Sequence, residues 1–373
     1  MTDSVQRRCS RCILPEKYIG ISFDSEGVCN FCREYHPVHR NLGKDALSRL
    51  LHSRTRGGPY DCVVPLSGGK DSTFILHCIV RNLGLSPIAL SYDSGFQTEF
   101  ARENVRNACN RLGVPLIVVQ APGESQTRLL REWIQLSAKV GELYGPCGGN
   151  CEAILRTASI EAARRHRAPF VIWGSSALES KDYASYINRG KRLPGRAARR
   201  LAHTASRLNS LANDWSKARR IPKMLYSHLG YHAVAYDLAS ISQRVNLGFP
   251  PRYALRPRYV PPFTDTDPQF VHFFDYVPWD SITGIKVLED ELNWRHPDGR
   301  ESRFDCLVHC LGNHQHVGAY GISADGANYC NFIREGRMDR EAAMRGESAV
   351  VGSIDDEVQE LLERVGLKGH SIP

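Results

Sequence analysis

Apolar residues in the first half of the chain gather into short runs, each closed by a glycine or acidic turn and followed by a longer stretch with helical spacing. Cys62 to Leu66 has no polar interruption and carries Val63 and Val64 side by side, the pattern of a strand buried on both faces. Three further runs repeat it: PIALSYDSG (Pro87 to Gly95), PLIVVQA and PFVIWGSS (Pro169 to Ser176). Between them Phe74, Ile75, Leu76, Cys78 and Ile79 crowd into a largely buried helix that Asp71 or Ser72 would cap. TEFARENVRNACNRLG predicts an amphipathic helix stopped by Gly113, and SQTRLLREWIQLSAKVG another. Strands alternating with helices imply right-handed crossovers, and so an α/β fold with a parallel sheet covered by helices on both faces. After Tyr226 the pattern loosens: PPRYALRPRYVPPFTDTDP reads as an extended loop, Asp280 as the cap of a helix through Leu292. NFIREGRMDREAAMRG and DDEVQELLERVGL read as two terminal helices with many i,i+4 charge pairs.

The chemistry concentrates where the first strand ends. Leu66-Ser67-Gly68-Gly69-Lys70-Asp71-Ser72 joins that strand to a helix, so several backbone N–H groups and the positive end of a helix dipole meet at one point. Such a point binds an anion. No glycine precedes Gly69-Lys70 at the spacing of a Walker A loop. Lys70 would neutralise a phosphate, and Asp71 would cap the helix or hold Mg²⁺. Ligands of a parallel sheet lie at the carboxyl ends of its strands, which brings Tyr92, Asp93, Gly174 and Ser175 to the same edge. These four either border an adenosine or form ordinary strand-to-helix turns.

Twelve cysteines in a chain with no hydrophobic leader and no long apolar run point to thiol and metal chemistry in the cytoplasm, away from membranes. Cys9, Cys12, Cys29 and Cys32 form two C-x-x-C knuckles, the spacing of a structural zinc site, around a small hairpin turning at Ser25-Glu26-Gly27. A four-thiolate site has no open position and is assigned no catalysis. Cys147 and Cys151 flank a Gly-Gly-Asn turn at a helix start, where the dipole favours the thiolate. Cys306, Cys310 and Cys330 arrive later in the chain. Cys147, Cys151 and Cys306 would suit a [4Fe-4S] cluster, or all of them are buried spectators.

The 373 residues, 42 % of them hydrophobic, suffice for one large domain or two ordinary ones. They divide into a zinc-binding hairpin (1–36), a connector (37–60), a nucleotide-binding α/β domain (61–187), a basic insertion (188–223) and a mostly helical substrate region (224–373). The net charge of +8 invites a phosphate-rich partner without choosing one. The insertion, with Arg196, Arg199 and Arg200, is either a solvated face or the surface that receives an anionic acceptor.

SGGKDS resembles the PP-loop of ATP pyrophosphatases, which cut ATP between its α- and β-phosphates. Most of the chain is similar to the N-acetyl sugar amidotransferases of surface-polysaccharide pathways: CSRCILPEKYIGISFDSEGVCNFC, VVPLSGGKDST, PFVIWGSS, YVPWD and IREGRMDREAAM carry the likeness. The resemblance implies a PP-loop fold, an ATP-activated amide oxygen with Lys70 and Asp71 at the reaction, a nucleotide-sugar acceptor, and ammonia from a separate glutaminase and its channel-forming partner. Two features depart from that pattern. Gly174-Ser175-Ser176 replaces Gly-Glu-Asn, and SRFDCLVHCLGN looks like cysteine-bearing PP-loop sulfurtransferases. The alternative is therefore sulfur transfer from a sulfur donor to a tRNA base or small molecule, with Cys147, Cys151 and Cys306 holding a cluster or carrying persulfide. A nucleotide-sensing, zinc-bearing scaffold is a third expectation.

Overall fold

A computed structural model describes residues 6–37, 41–54, 58–135 (except 122, 125, 129, 132 and 133), 150–174, 178, 268–278, 281–297, 304–370 and 372. Five parallel strands, β1 (Cys62–Pro65), β2 (Pro87–Asp93), β3 (Leu116–Gln120), β4 (Phe170–Trp173) and β5 (Gln269–His272), form one sheet in the order β3-β2-β1-β4-β5. β1 is central and its first three residues are buried, as an uninterrupted apolar run requires when helices cover both faces. Chain direction reverses its lateral progress between β3 and β4, so the crevice beside β1 is a topological switch point. The sheet is not contained within residues 61–187: β5 comes from beyond the basic stretch and pairs with β4 from Phe170↔Gln269 to Trp173↔His272.

Nine α-helices are described: α1 (Asn30–Arg33), α2 (Lys44–His52), α3 (Lys70–His77), α4 (Glu99–Leu112), α5 (Asn150–Arg165), α6 (Ser281–Leu292), α7 (His309–Tyr320), α8 (Ala324–Arg334) and α9 (Arg340–Arg364). One face of the sheet shares a core with α2, α3, α4 and α6, built on Val64, Ile75, Leu76, Phe170, Phe273 and Leu288. The other packs Val63, Leu90, Val171 and Trp173 against the alanine-rich face of α5. Each fully buried aliphatic or aromatic side chain contributes roughly 1.5–3 kcal/mol, which fixes the ends of β1, β2 and β4 in one plane. α4 follows its expected limits: Thr98 Oγ1 accepts from the Ala101 N–H, and Gly113 closes it at φ 68°.

Two expectations about helices are corrected. α3 begins at Lys70 with Gly69 as its cap, so neither Asp71 nor Ser72 caps it. The last two segments do not break at Gly346: α9 runs unbroken through it, because Gly346 lets the Tyr329 ring of α8 lie against the helix backbone, where a β-carbon would stand 3.0 Å from Cε2. Among the described residues, no helix is long and apolar enough to cross a membrane. The cap at Asp280, the proline-rich stretch before residue 268 and the basic insertion lie outside the described residues.

The N-terminal hairpin forms as expected, with Phe23 bridged to Cys29 and Asp24 Oδ1 accepting from the Glu26 and Val28 N–H groups at 3.0 and 2.8 Å. It does not stand alone. Its Ile13, Leu14 and Tyr18 share an apolar cluster with Ile322, Cys330 and Ala343 of the C-terminal helical region.

Candidate functional site

The loop after β1 is held in shape from several distant parts of the chain. Gly68 adopts φ +87°, and a β-carbon there would overlap the Ala101 carbonyl oxygen, so only glycine fits. The Gly68 carbonyl accepts from Trp294 Nε1 at 3.0 Å and from Asn104 Nδ2 at 3.2 Å, and the Ser67 carbonyl accepts from Gln97 Nε2 at 2.8 Å. Within the loop Ser72 Oγ accepts from the Ser67 N–H at 3.2 Å and donates to the Gly69 carbonyl at 3.2 Å, while Ser67 Oγ accepts from the Gly69 N–H at 3.3 Å. The first-turn N–H groups of α3 have no partners within their own helix, which leaves donors at the loop's mouth. Lys70 Nζ stands 3.6 Å from Asp71 Oδ1, both partly exposed, a pair weak enough to open toward an incoming phosphate. Leu66, in contrast, puts its side chain into the core, so its share in the site is backbone only.

The neighbouring turns are brought to the same edge with defined jobs. Tyr92 is largely buried at the end of β2; its hydroxyl accepts from Gln126 Nε2 at 2.6 Å, and burial pushes its pKa up. Asp93 Oδ1 accepts from the Gly95 N–H at 2.8 Å and Oδ2 lies 3.6 Å from Arg102, so this carboxylate shapes the turn after β2. Gly174 leaves β4 close against α3, where a β-carbon would stand 3.0 Å from Ile75 Cδ1. Ser175 and Cys147 lie outside the described residues.

A segment from the C-terminal half crosses this edge. Gln97 and Cys306 form an antiparallel bridge, the Leu307 N–H donates to the Phe96 carbonyl at 3.0 Å, and the Thr98 N–H donates to the Asp305 carbonyl at 3.3 Å. Asp305 thereby faces the loop: a β-carbon on Gly69 would sit 3.3 Å from Asp305 Oδ2. Cys306 and Cys151 lie close enough that each thiolate would disfavour the other. At Cys151, which is partly exposed, desolvation first and the Cys306 charge second work against the helix dipole and push the thiol up to about 12. Of the remaining late cysteines, Cys310 stays near Cys306, where burial first and then nearby charges, that of Cys306 among them, work against its thiolate, and Cys330 lies elsewhere. Cys310 sits in an apolar cluster with Leu311, Val358 and Leu361 against which Cys306 also packs, while Cys330 neighbours Cys12 in the N-terminal module.

Cys9, Cys12, Cys29 and Cys32 place their four sulfur atoms within 4.8 Å of one another, all buried. Among the described residues this is the only such group of histidine, cysteine and acid ligands. Cys9 Sγ accepts from the Cys12 and Cys29 N–H groups at 3.4 and 3.2 Å, and Arg334 of α8 reaches Cys32 Sγ at 3.4 Å and Cys12 Sγ at 3.5 Å. Within this coupled cluster hydrogen bonds from Cys12, then Cys29, hold the Cys9 thiol far below its ordinary value and lower Cys32 to about 6, while the Cys12 and Cys29 thiols are held well above theirs. Four converging sulfurs with a buried guanidinium to offset their charge fit a tetrahedral metal, which all four would ligate with no position left open. Arg334 continues inward: Nη1 donates to Asn331 Oδ1 at 2.9 Å, and Asn331 Nδ2 donates to the Leu178 carbonyl beyond β4 at 2.9 Å.

Sequence reasoning missed Gln97, Asn104, Trp294, Asp305 and Arg334. One carried a signal: Asn104 falls on the buried stripe of α4 with Ala101, Val105 and Ala108, and a polar residue there needs fixed partners. Gln97 reaches the Ser67 carbonyl across 30 residues, and Trp294, Asp305 and Arg334 act across more than two hundred, with no periodicity to mark them.

No family model matches the chain. An uncharacterized protein of Methanocaldococcus jannaschii is 27% identical over 116 residues, covering 30% of this chain and 42% of that protein. The tRNA(Ile)-lysidine synthase of Nitratidesulfovibrio vulgaris is 51% identical over 63 residues, 15% of this chain and 18% of the enzyme. Among solved structures, NMN synthetase from Francisella tularensis aligns with 20% identity over 36% of this chain and 54% of that one, at a TM-score of 0.27. The chain thus spans less than half the length of either curated relative. What its own geometry establishes is a glycine loop at a helix N-terminus on the central strand of a parallel α/β sheet, together with a buried four-cysteine cluster.

Proposed function

We propose that the chain is an ATP-dependent transferase that joins AMP to a carbonyl oxygen, releases pyrophosphate, and replaces that oxygen with nitrogen from ammonia. The acceptor in this reading is an N-acetylated nucleotide-sugar or related anionic metabolite, and a glutaminase with an ammonia channel is the partner. The observation that carries it is the rigid Ser67–Ser72 loop, with Gly68 locked against Ala101 and Lys70 at a helix N-terminus on the central strand. That arrangement suits grip on a leaving pyrophosphate, where negative charge grows as the α–β bond breaks. An amide oxygen is a poor leaving group, and joining it to AMP makes it a good one. Lys70 and the loop N–H groups would stabilise the pyrophosphate; Asp71 and Asp305 are the carboxylates nearest the loop able to hold Mg²⁺, which would offset phosphate charge. The four-cysteine site, occupied by zinc in this reading, has a structural role only.

The test is pyrophosphate release from ATP in the presence of ammonium and a nucleotide-linked N-acetyl sugar. Lys70→Ala should lower it by about 100-fold or more. Undiminished release in that variant refutes the assignment.

The proximity of Cys151 and Cys306 at the loop's edge favours a second reading, sulfur transfer. With Cys147 they would supply three thiols for a [4Fe-4S] cluster or a persulfide carrier, and the name of the Nitratidesulfovibrio relative keeps a tRNA acceptor within it. Protein purified without oxygen separates the two: a brown protein with broad visible absorption supports sulfur chemistry, a colourless one with a single bound zinc supports amidotransfer.

A further inference from the structure

Two buried side chains from distant parts of the chain meet on the Gly68 carbonyl: Trp294 Nε1 donates to it at 3.0 Å and Asn104 Nδ2 at 3.2 Å. The turn that carries the indole is itself pinned to α4. Asn104 Oδ1 accepts from the Arg295 N–H at 2.9 Å, its Nδ2 also donates to the Arg295 carbonyl at 2.7 Å, and Asn107 Nδ2 donates to the Asn293 carbonyl at 3.1 Å. Asn293 leads the chain out of α6 at φ 54°, a left-handed conformation that asparagine tolerates. The indole lies against the rings of His296 and Phe304, with centroids 5.7 and 5.6 Å away. A core tryptophan with no further task needs only some acceptor for its N–H. Here a turn, two asparagines and two rings fix where that N–H points. A trans peptide carries its C=O and N–H on opposite sides, and no cis bond occurs among the described residues. With the Gly68 carbonyl drawn into the protein, the Gly69 N–H is turned the other way, where Ser67 Oγ takes it at 3.3 Å, longer than an ordinary N–H···O bond. Gly69 caps α3, so this donor stands beside the first-turn N–H groups of that helix. Glycine on both sides puts few steric barriers in the way of rotating the peptide. Rotated, it would aim a carbonyl oxygen at an anion instead of a donor.

We infer that Trp294 is a positioning residue for the pyrophosphate end of the nucleotide: its N–H, together with Asn104, holds the Gly68–Gly69 peptide so that the Gly69 N–H faces the phosphates. The inference rests on the adenylation reading above and deepens it, because it makes a turn of the C-terminal half part of the phosphate grip. Trp294 touches no phosphate itself. Its effect passes through one peptide of the loop, so its loss is felt by the β- and γ-phosphates and spares the AMP half.

The test titrates the full-length protein calorimetrically with two ligands, pyrophosphate in the presence of Mg²⁺ and AMP. Trp294→Phe keeps an aromatic ring in place and removes the donor. It should weaken pyrophosphate binding about tenfold, the loss of one hydrogen bond to a fixed acceptor, and leave AMP within about twofold. A second measurement needs no variant. In nitrogen-15-labelled wild-type protein the Nε1–H signal of Trp294 should move when pyrophosphate is added, since a new bond at the Gly69 N–H polarises the carbonyl across the same peptide, and should stay in place with AMP. Wild-type pyrophosphate affinity in Trp294→Phe, an equal loss for both ligands, or an indole signal indifferent to pyrophosphate overturns the inference and leaves the adenylation reading standing. Failure of the wild-type protein to bind pyrophosphate instead removes that reading, and the inference with it.

Discussion

The phosphate loop and the four-cysteine module are both short motifs of fixed spacing, yet they are organised by opposite means. The loop is fixed by the rest of the fold: Gln97, Asn104 and Trp294 hold its carbonyls, and the backbone of α4 at Ala101 excludes any side chain at position 68. It is preorganised before any nucleotide arrives, so binding energy is not spent on ordering it. The module has hairpin hydrogen bonds of its own, but its four thiols face one another, an arrangement that repels once they ionise unless a metal holds them. The lesson is one of dependence. Damage to the loop should be felt in chemistry, damage to the module in folding.

The largest expected effect follows on the folding side. Structural zinc sites in small modules contribute about 10 kcal/mol or more of apparent free energy, so stripping the metal or introducing Cys12→Ser should unfold the hairpin. Ile13, Leu14 and Tyr18 share a cluster with Ile322, Cys330 and Ala343, so the C-terminal helices should loosen with it. Thermal melting with parallel metal analysis reads this, and an unchanged melting temperature in metal-free protein would break the contrast. Next comes Gly68→Ala, which forces a methyl into the Ala101 carbonyl at a positive φ. It should cost about 2–4 kcal/mol and abolish pyrophosphate release. Lys70→Ala sharpens the point from the other side: its partly exposed ion pair with Asp71 is worth little to the fold, so stability should fall by no more than about 1 kcal/mol while activity is lost.

Arg334→Met tests where the two regions meet. The guanidinium touches two of the four sulfurs and, through Asn331, the Leu178 carbonyl beyond β4. Removing its charge while keeping its bulk should weaken metal binding about 10- to 100-fold, read by competition with a chromophoric chelator. Pyrophosphate exchange in metal-saturated protein should change far less. Equal loss of both would mean that the module supports the site directly, and the contrast would need redrawing.

What could be foreseen from the chain alone tracks the range of the forces involved. The β1 strand, the SGGKDS motif, the α4 limits and the two C-x-x-C knuckles are each marked by residues close together in the chain, and each was legible, although what holds the loop in shape comes from Gln97, Asn104 and Trp294. The cap of α3 was misplaced because Asp71 and Ser72 are good cap residues in isolation, whereas here Ser72 Oγ is occupied by Ser67 and Gly69. The strand β5 was missed because four residues with mixed burial carry no alternation to recognise. The crossing of Asp305 and Cys306 beside the loop joins positions more than two hundred residues apart, where only tertiary packing decides.

The smallest effect concerns the thiol that sequence position suggested would be reactive. Cys151 stands at the start of α5, where the dipole favours a thiolate by at most about 1–2 kcal/mol. Burial outweighs it, and with the neighbouring Cys306 the thiol is pushed up to about 12. The sign is definite: raising the pKa of an acid in the folded state means the fold favours the protonated form. Its contribution to stability is whole below about pH 8.5, the ordinary thiol value, and is lost as pH rises from there toward 12. At pH 7.5 Cys151 in the folded, metal-free-of-cluster protein should therefore alkylate with iodoacetamide far more slowly than a free thiol, accelerating about tenfold per pH unit. Mass spectrometry of the labelled Cys151 peptide gives the rate. Rapid labelling at neutral pH would show a thiolate stabilised by something beyond these side chains, and would move the balance at this edge from nitrogen toward sulfur.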